Sequence, residues 1–187
     1  MRLPIYGSSD FAQTAIEFVQ ACGHEPVNSA DDMRHVPEIL GSPEAVARSR
    51  PPGDYGIALA ICYSMAGRWA AWQRACAAGY EALALIRPRA HVADSAHVSA
   101  GTMAMAGAVV DVPAKVDEAS VLRTGVCVDH DTSIGANCFL SPNATVCGSA
   151  LLGPNSFVGA GAAIADRREV PPSSFTKMLG RYTGRTV

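Results

Sequence analysis

The sequence predicts two units of different class: a small parallel α/β unit over 1–86, then a β-solenoid over 87–174, with a tail at 175–187. Three observations predict it. From His91 to Ser174 the chain divides into fourteen blocks of six without an insertion. The second residue is a branched aliphatic in thirteen of them: Val92, Val98, Val110, Val116, Leu122, Val128, Ile134, Leu140, Val146, Leu152, Val158, Ile164 and Val170. Only Ala104 departs, and most blocks end on a small residue, as at Ala96, Ala108, Ser120, Thr132, Cys138, Ala150 and Ala162. A period of six fits neither a helix nor a simple strand alternation. It fits short strands joined by tight corners and stacked coil on coil, where one repeat cannot bury its face alone. Residues 1–86 lack the period and alternate apolar runs with helical spacing, the pattern of a parallel sheet with crossover helices.

The elements follow in order. Leu3-Pro4-Ile5-Tyr6 reads as a first strand, with Pro4 suiting an edge or a strand start. Gly7-Ser8-Ser9-Asp10 supplies a turn with N-cap residues. A helix is predicted from Phe11 to Cys22, with Ala12, Ile16 and Val19 on one face and Gly23 as its stop. Pro26-Val27-Asn28 suggests a second strand, and Met33 to Leu40 a weak helix. Pro43, Pro51, Pro52 and Gly53 make 41–54 read as loop. Tyr55 to Ile61 is a continuous apolar run, as in a buried parallel strand. Met65, Trp69, Trp72 and Cys76 have helical spacing and read as a core face, closed by Gly79. Glu81 to Ile86 is the last strand of the unit, and Arg87-Pro88 marks the handover. After Val170 the repeat stops, and the tail carries Lys177, Arg181 and Arg185.

A net charge of −2 without a basic tract gives nucleic acid no electrostatic footprint. No apolar run approaches membrane-spanning length. The N-terminus, with Arg2, Asp10 and Glu17, has no signal-peptide core, so the expectation is a cytoplasmic protein. The six cysteines form no CxxC pair and read as reduced packing residues. His91 and His97 hold the same place in adjacent blocks, hence on different sides of the solenoid, so no metal pair is expected.

Val128-Asp129-His130-Asp131 is the first candidate for chemistry. If Val128 points inward, His130 and Asp131 stand at a corner and point out. An imidazole suits general-base work at neutral pH, and an adjacent carboxylate can hold one ring nitrogen and stabilise the imidazolium. On residue chemistry alone, a solvated polar corner is the better reading of this pair.

The run Thr124-Gly125-Val126-Cys127-Val128-Asp129-His130-Asp131, with Ile134-Gly135 and Ser141-Pro142-Asn143-Ala144-Thr145-Val146-Cys147-Gly148, resembles a known family. It is that of the hexapeptide-repeat acyltransferases, in particular the bacterial sugar acetyltransferases of sialic acid, bacillosamine and perosamine pathways. The resemblance implies a Rossmann-like N-terminal unit that binds a nucleotide or sugar. It also implies a left-handed parallel β-helix with three blocks per coil, and fourteen blocks make between four and five coils. The implied activity is acetyl transfer from acetyl-CoA, without a metal, by a homotrimer. His130 is then the base that deprotonates a sugar amine or hydroxyl. Asp131 orients it, and the Gly148 backbone N–H, one coil above, holds the developing oxyanion. Gly159, Ala160 and Gly161 would line the pantetheine arm, with Lys177, Arg181 and Arg185 near its phosphates. The acceptor would meet Gly7, Asp31, Asp32, Arg123, Thr124 and Phe139.

Three departures from the family pattern stand out. Phe139 replaces a histidine near the acyl group, and Arg123 replaces an asparagine before Thr-Gly. The first loop, Tyr6-Gly7-Ser8-Ser9-Asp10, has one glycine where relatives have a GxGG pattern. Phe139 is expected outside the solenoid core, in a subunit groove and against the acceptor. The favoured activity is N-acetylation of a nucleotide-linked amino sugar. The alternatives are O-acetylation of a sugar such as sialic acid, and a degenerate, non-catalytic repeat protein for binding or assembly.

Overall fold

The computed structural model describes residues 1–7, 11–30, 42–61 and 64–187. The turn at 8–10, the pair Asp31 and Asp32 and the helix expected from Met33 to Leu40 lie outside the described residues. The chain divides into two compact units, Met1–Leu85 and Ile86–Val187.

The first unit holds β1 (Arg2–Tyr6), α1 (Phe11–Ala21), β2 (Glu25–Ala30), α2 (Pro43–Ser49), β3 (Gly56–Leu59), α3 (Met65–Ala77) and β4 (Glu81–Ala82). Its strands form one parallel sheet in the order β2-β1-β3-β4. Leu3, Ile5, Ile57, Ala58 and Leu59 are buried in the sheet, and Ala15, Phe18 and Val19 of α1 join its core. Gly7 ends β1 at φ +123°, where a Cβ would stand 2.9 Å from the Ala60 carbonyl oxygen. Only glycine allows both that backbone and that approach.

Three expectations for this unit are corrected. The loop read at 41–54 contains α2, which Ser42 caps by accepting the Ala45 N–H at 3.3 Å, with Pro43 opening the first turn. Proline there costs no hydrogen bond, since the first-turn N–H groups are orphans anyway. Glu44 then forms a two-pronged pair with Arg74 of α3, at 3.1 and 2.7 Å. The face that α3 buries is Arg68, Ala71 and Ala75, while Cys76 is exposed. Alanines let the helix approach its neighbours closely, and Trp69 and Trp72 lie half-buried at the flanks. Finally, Glu81 to Ile86 is not one strand. Glu81–Ala82 closes the first sheet, whereas Leu85–Ile86 belongs to the solenoid.

The second unit is a left-handed parallel β-helix. Two-residue strands recur every six residues and stack into three sheets of five, six and six strands. Register advances by one coil of three blocks: Cys127 faces Thr145, which faces Ala163. The second residue of each block from Val110 to Val170 points inward and is at most 2 % exposed. The fifth residue makes the corner, in the left-handed region at Gly107, Gly125, Asp131, Asn137, Asn143, Ser149, Asn155, Gly161 and Arg167. Glycine, asparagine and aspartate bear that conformation best, which accounts for their recurrence there.

The tail does not leave the solenoid. Phe175–Thr176 and Arg181–Tyr182 are two further strands, paired with Phe157–Val158 and Ala163–Ile164. Inward Thr176 and Tyr182 replace the branched aliphatics, so the hydrophobic period fades while the backbone ladder continues. The last residues then fold back on the edge: Val187 donates its N–H to Arg167, and Glu169 donates to Arg185, both at 2.9 Å. No helix among the described residues is long and apolar enough to cross a membrane.

Candidate active site

His130 follows inward Val128 by two residues, just before a corner. The corner itself is Asp131, at φ +56°. Its N–H is held by the Val112 carbonyl at 3.3 Å, one coil back. The turned backbone brings the Asp131 carboxylate onto its neighbour: Oδ2 lies 3.0 Å from His130 Nδ1. Asp129 accepts the His130 backbone N–H at 2.7 Å, so the residue is tied on both sides. Both members of the His130–Asp131 pair are about half exposed, at 52 % and 58 %. The hydrogen bond that Nδ1 donates to Asp131 raises the imidazole pKa above its ordinary value of 6.5, and the charges of Asp129, Asp131 and Asp166 add to that. Nδ1 is thereby occupied, and Nε2 is the nitrogen left to take a proton.

Stacking places Gly148 one coil beyond His130. Ser149 donates its N–H to the His130 carbonyl at 2.8 Å, and Arg167 donates to the Gly148 carbonyl at 2.9 Å. The imidazole lies over Gly148 so closely that a Cβ there would overlap Nε2 and stand 2.6 Å from Cε1. The ring thus occupies the place of the missing side chain. The Gly148 N–H donates to no described residue. A base nitrogen and a backbone donor without a described partner thus lie on adjacent coils of one corner.

The other candidates lie elsewhere on the solenoid. Arg123 and Thr124 share a second corner with Pro142, Ala160 and Met178, as the hydrogen bonds Asn143 N–H to Thr124 and Gly161 N–H to Pro142 show, at 3.0 and 2.9 Å. Gly159 and Gly161 are explained by packing: a Cβ on Gly159 would meet the Lys177 carbonyl carbon at 2.7 Å, and one on Gly161 the Leu179 side chain at 2.8 Å. Lys177 is exposed at that corner, and Arg185 is drawn 3.5 Å from Glu169 on the folded-back end. Within one chain, then, His130, Asp131 and Gly148 come together, whereas Arg123, Thr124, Gly159, Ala160, Gly161 and Lys177 occupy a different corner.

Phe139 corrects an expectation. It is 2 % exposed in the single chain, and its ring stacks flat on Phe157 at 5.3 Å, which stacks on Phe175 at 5.1 Å. Rings repeating at the coil spacing cover one another, so within the single chain Phe139 is buried rather than open in a groove. Gly7 closes β1 in the first unit, and Asp31 and Asp32 lie outside the described residues. Sequence reasoning also missed Asp166. It stands in the same column as His130 and Gly148, a relation that the rule of three blocks per coil makes findable. No group of histidine, cysteine and carboxylate side chains suited to a metal occurs among the described residues.

Residues 131–166 match the family described as bacterial transferase hexapeptide (six repeats). No curated protein matches the chain. Among solved structures, the acetyltransferase domain of PglB from Neisseria gonorrhoeae is similar at 22 % identity and a TM-score of 0.88, covering 100 % of this chain and 93 % of that one. The same domain in complex with acetyl coenzyme A gives 24 % identity and a TM-score of 0.83, over 95 % and 88 % of the two chains. PerB from Caulobacter crescentus, in complex with CoA and GDP-perosamine, gives 23 % identity and a TM-score of 0.77, over 96 % and 95 %. At these identities the likeness establishes a shared fold over nearly the whole chain.

Proposed function

We propose that this protein is an acetyl-CoA-dependent acetyltransferase that N-acetylates a nucleotide-linked amino sugar, with His130 as its general base. The observation that carries the reading is the seat of the imidazole. Nδ1 is held by Asp131 at 3.0 Å, and Nε2 sits over the side-chain-free Gly148 beside a backbone N–H. That arrangement suits acyl transfer to an amine or hydroxyl. Nε2 takes the proton of the nucleophile, and the Gly148 N–H meets the negative charge that grows on the thioester oxygen. Asp131 fixes the ring and stabilises its protonated form. The acetyl donor is supported by the fold neighbours, described with acetyl coenzyme A or CoA bound, and the acceptor class by the one bound to GDP-perosamine.

In this reading residues 1–86 form a Rossmann-like unit for the nucleotide, 87–174 the transferase β-helix and 175–187 its terminal segment. Gly7 lies at the C-terminal end of β1, where the strand order β2-β1-β3-β4 reverses, the usual place for a ligand in an open parallel sheet. Asp31 and Asp32 are proposed to meet the same nucleotide. Gly159, Ala160, Gly161 and Lys177 would take the CoA arm, and Arg123 and Thr124 the acceptor. Because these stand at a different corner from His130 within one chain, the site is completed by a neighbouring copy, as in a closed trimer.

The test is thiol release from acetyl-CoA with a panel of amino sugars, free and nucleotide-linked. Release that depends on a nucleotide-linked amine and is lost in His130→Ala is expected. Equal release in His130→Ala would remove the catalytic assignment, and no release with any acceptor would leave a non-catalytic repeat protein.

A further inference from the structure

One charged side chain beside the base has no part in the chemistry above. Asp166 occupies the same place in its block as His130 and Gly148 do in theirs, and the ladder Cys127–Thr145–Ala163 keeps the three in register. We propose that Asp166 positions the acceptor: its carboxylate receives the protonated amine of the substrate and holds that nitrogen against His130 Nε2. The proposal rests on the acetyltransferase reading and deepens it, since it selects an amine over a hydroxyl.

Three carboxylates share the His130 corner, and their engagements separate them. Asp131 is committed to Nδ1 at 3.0 Å, and Asp129 to the His130 backbone N–H at 2.7 Å. Asp166 stands one coil beyond Gly148, the residue that Nε2 overlies. The imidazole fills the place of the Gly148 side chain, so its Nε2 edge borders the next coil, which begins where Arg167 donates to the Gly148 carbonyl at 2.9 Å. Coils stack about 4.8 Å apart, which leaves a slot one functional group wide between the ring edge and the Asp166 layer. The Asp166 side chain is 56 % exposed, and Arg167 reaches it through Nε at 3.7 Å, too long for a full hydrogen bond. The carboxylate therefore retains acceptor capacity toward the slot. The two groups are also within electrostatic reach, since Asp166 contributes to raising the His130 pKa. A cation placed between them gains from the carboxylate, whereas a neutral hydroxyl gains far less.

The ammonium gives one proton to Nε2, and the neutral nitrogen attacks the thioester carbonyl carbon. The adduct collapses with cleavage of the carbon–sulfur bond and departure of the CoA thiolate. Of the two protons lost by the nitrogen, one ends on the thiol by way of the imidazolium, and the other goes to solvent.

Initial rates with acetyl-CoA and GDP-perosamine, and with the GDP-hexose bearing a hydroxyl in place of the amine, test this. Wild type is expected to prefer the amine. Asp166→Asn is expected to raise KM for the amine about tenfold with kcat changed less than about threefold, the split of lost binding, and to leave KM for acetyl-CoA unchanged. Asp166→Glu should recover part of the loss. An unchanged amine KM in Asp166→Asn, a fall in kcat alone, or faster wild-type turnover of the hydroxyl acceptor would overturn the proposal while leaving acetyl transfer standing. No thiol release from wild type with either acceptor would overturn the parent reading and the proposal with it.

Discussion

Gly148→Ala isolates the geometry of the base from the stability of the fold. The new Cβ would stand 2.6 Å from His130 Cε1 and closer still to Nε2. Ordinary contact begins near 3.4 Å, so the ring must withdraw by about 0.8 Å at Cε1 and further at Nε2. The side chain is half exposed and can swing outward, so the collision is relieved by moving the imidazole rather than the coil. Gly148 is not among the residues at positive φ, hence alanine suits its backbone. The unfolded chain meanwhile loses freedom, a change worth about 0.4–1 kcal/mol in favour of the folded state. Activity responds differently, because a misplacement of about 1 Å in a catalytic group costs roughly 10²-fold. The expected outcome is a kcat for thiol release lowered about 10²-fold, with a Tm equal to or above that of the parent. A variant with undiminished kcat would refute the claim that Nε2 over Gly148 is the working geometry. A variant that loses kcat only because it unfolds would refute the separation of site from scaffold.

Other perturbations give distinct outcomes. His130→Ala should lower kcat by roughly 10²–10⁴-fold without a change in Tm, since the side chain leaves no core cavity. Asp131→Asn removes the carboxylate charge that helps to raise the imidazole pKa. The neutral base then becomes available at lower pH, so the acidic limb of the kcat profile should move to lower pH while the plateau falls. Phe157→Ala breaks the stack between Phe139 and Phe175 and should cost about 2–3 kcal/mol by denaturant titration. Glu44, held at about 2 by Arg74, contributes stability above the ordinary carboxylate range that is lost as pH falls toward that value. In Glu44→Gln this pH dependence should vanish at a cost of about 0.5–1 kcal/mol, the pair being largely exposed.

The sequence by itself determined the β-helix. A period of six with one branched aliphatic per block fits stacked short strands and neither a helix nor a strand alternation, and inward Val128, Ile134 and Leu140 follow from it. With the three blocks per coil that the family resemblance implies, positions eighteen apart stack, which puts His130 and Gly148 at one corner. The end of the β-helix was illegible for the same reason: Thr176 and Tyr182 break the hydrophobic signal without breaking the backbone ladder. Helix α2 was legible in Ser42-Pro43-Glu44 but masked by the surrounding prolines. What only the tertiary structure decided is direction and cover. The left-handed backbone at Asp131 turns its carboxylate onto Nδ1, which residue order alone leaves open. Phe139 faces away from the inward Leu140 and is nonetheless buried under its stacked neighbour, since cover depends on what lies a coil away.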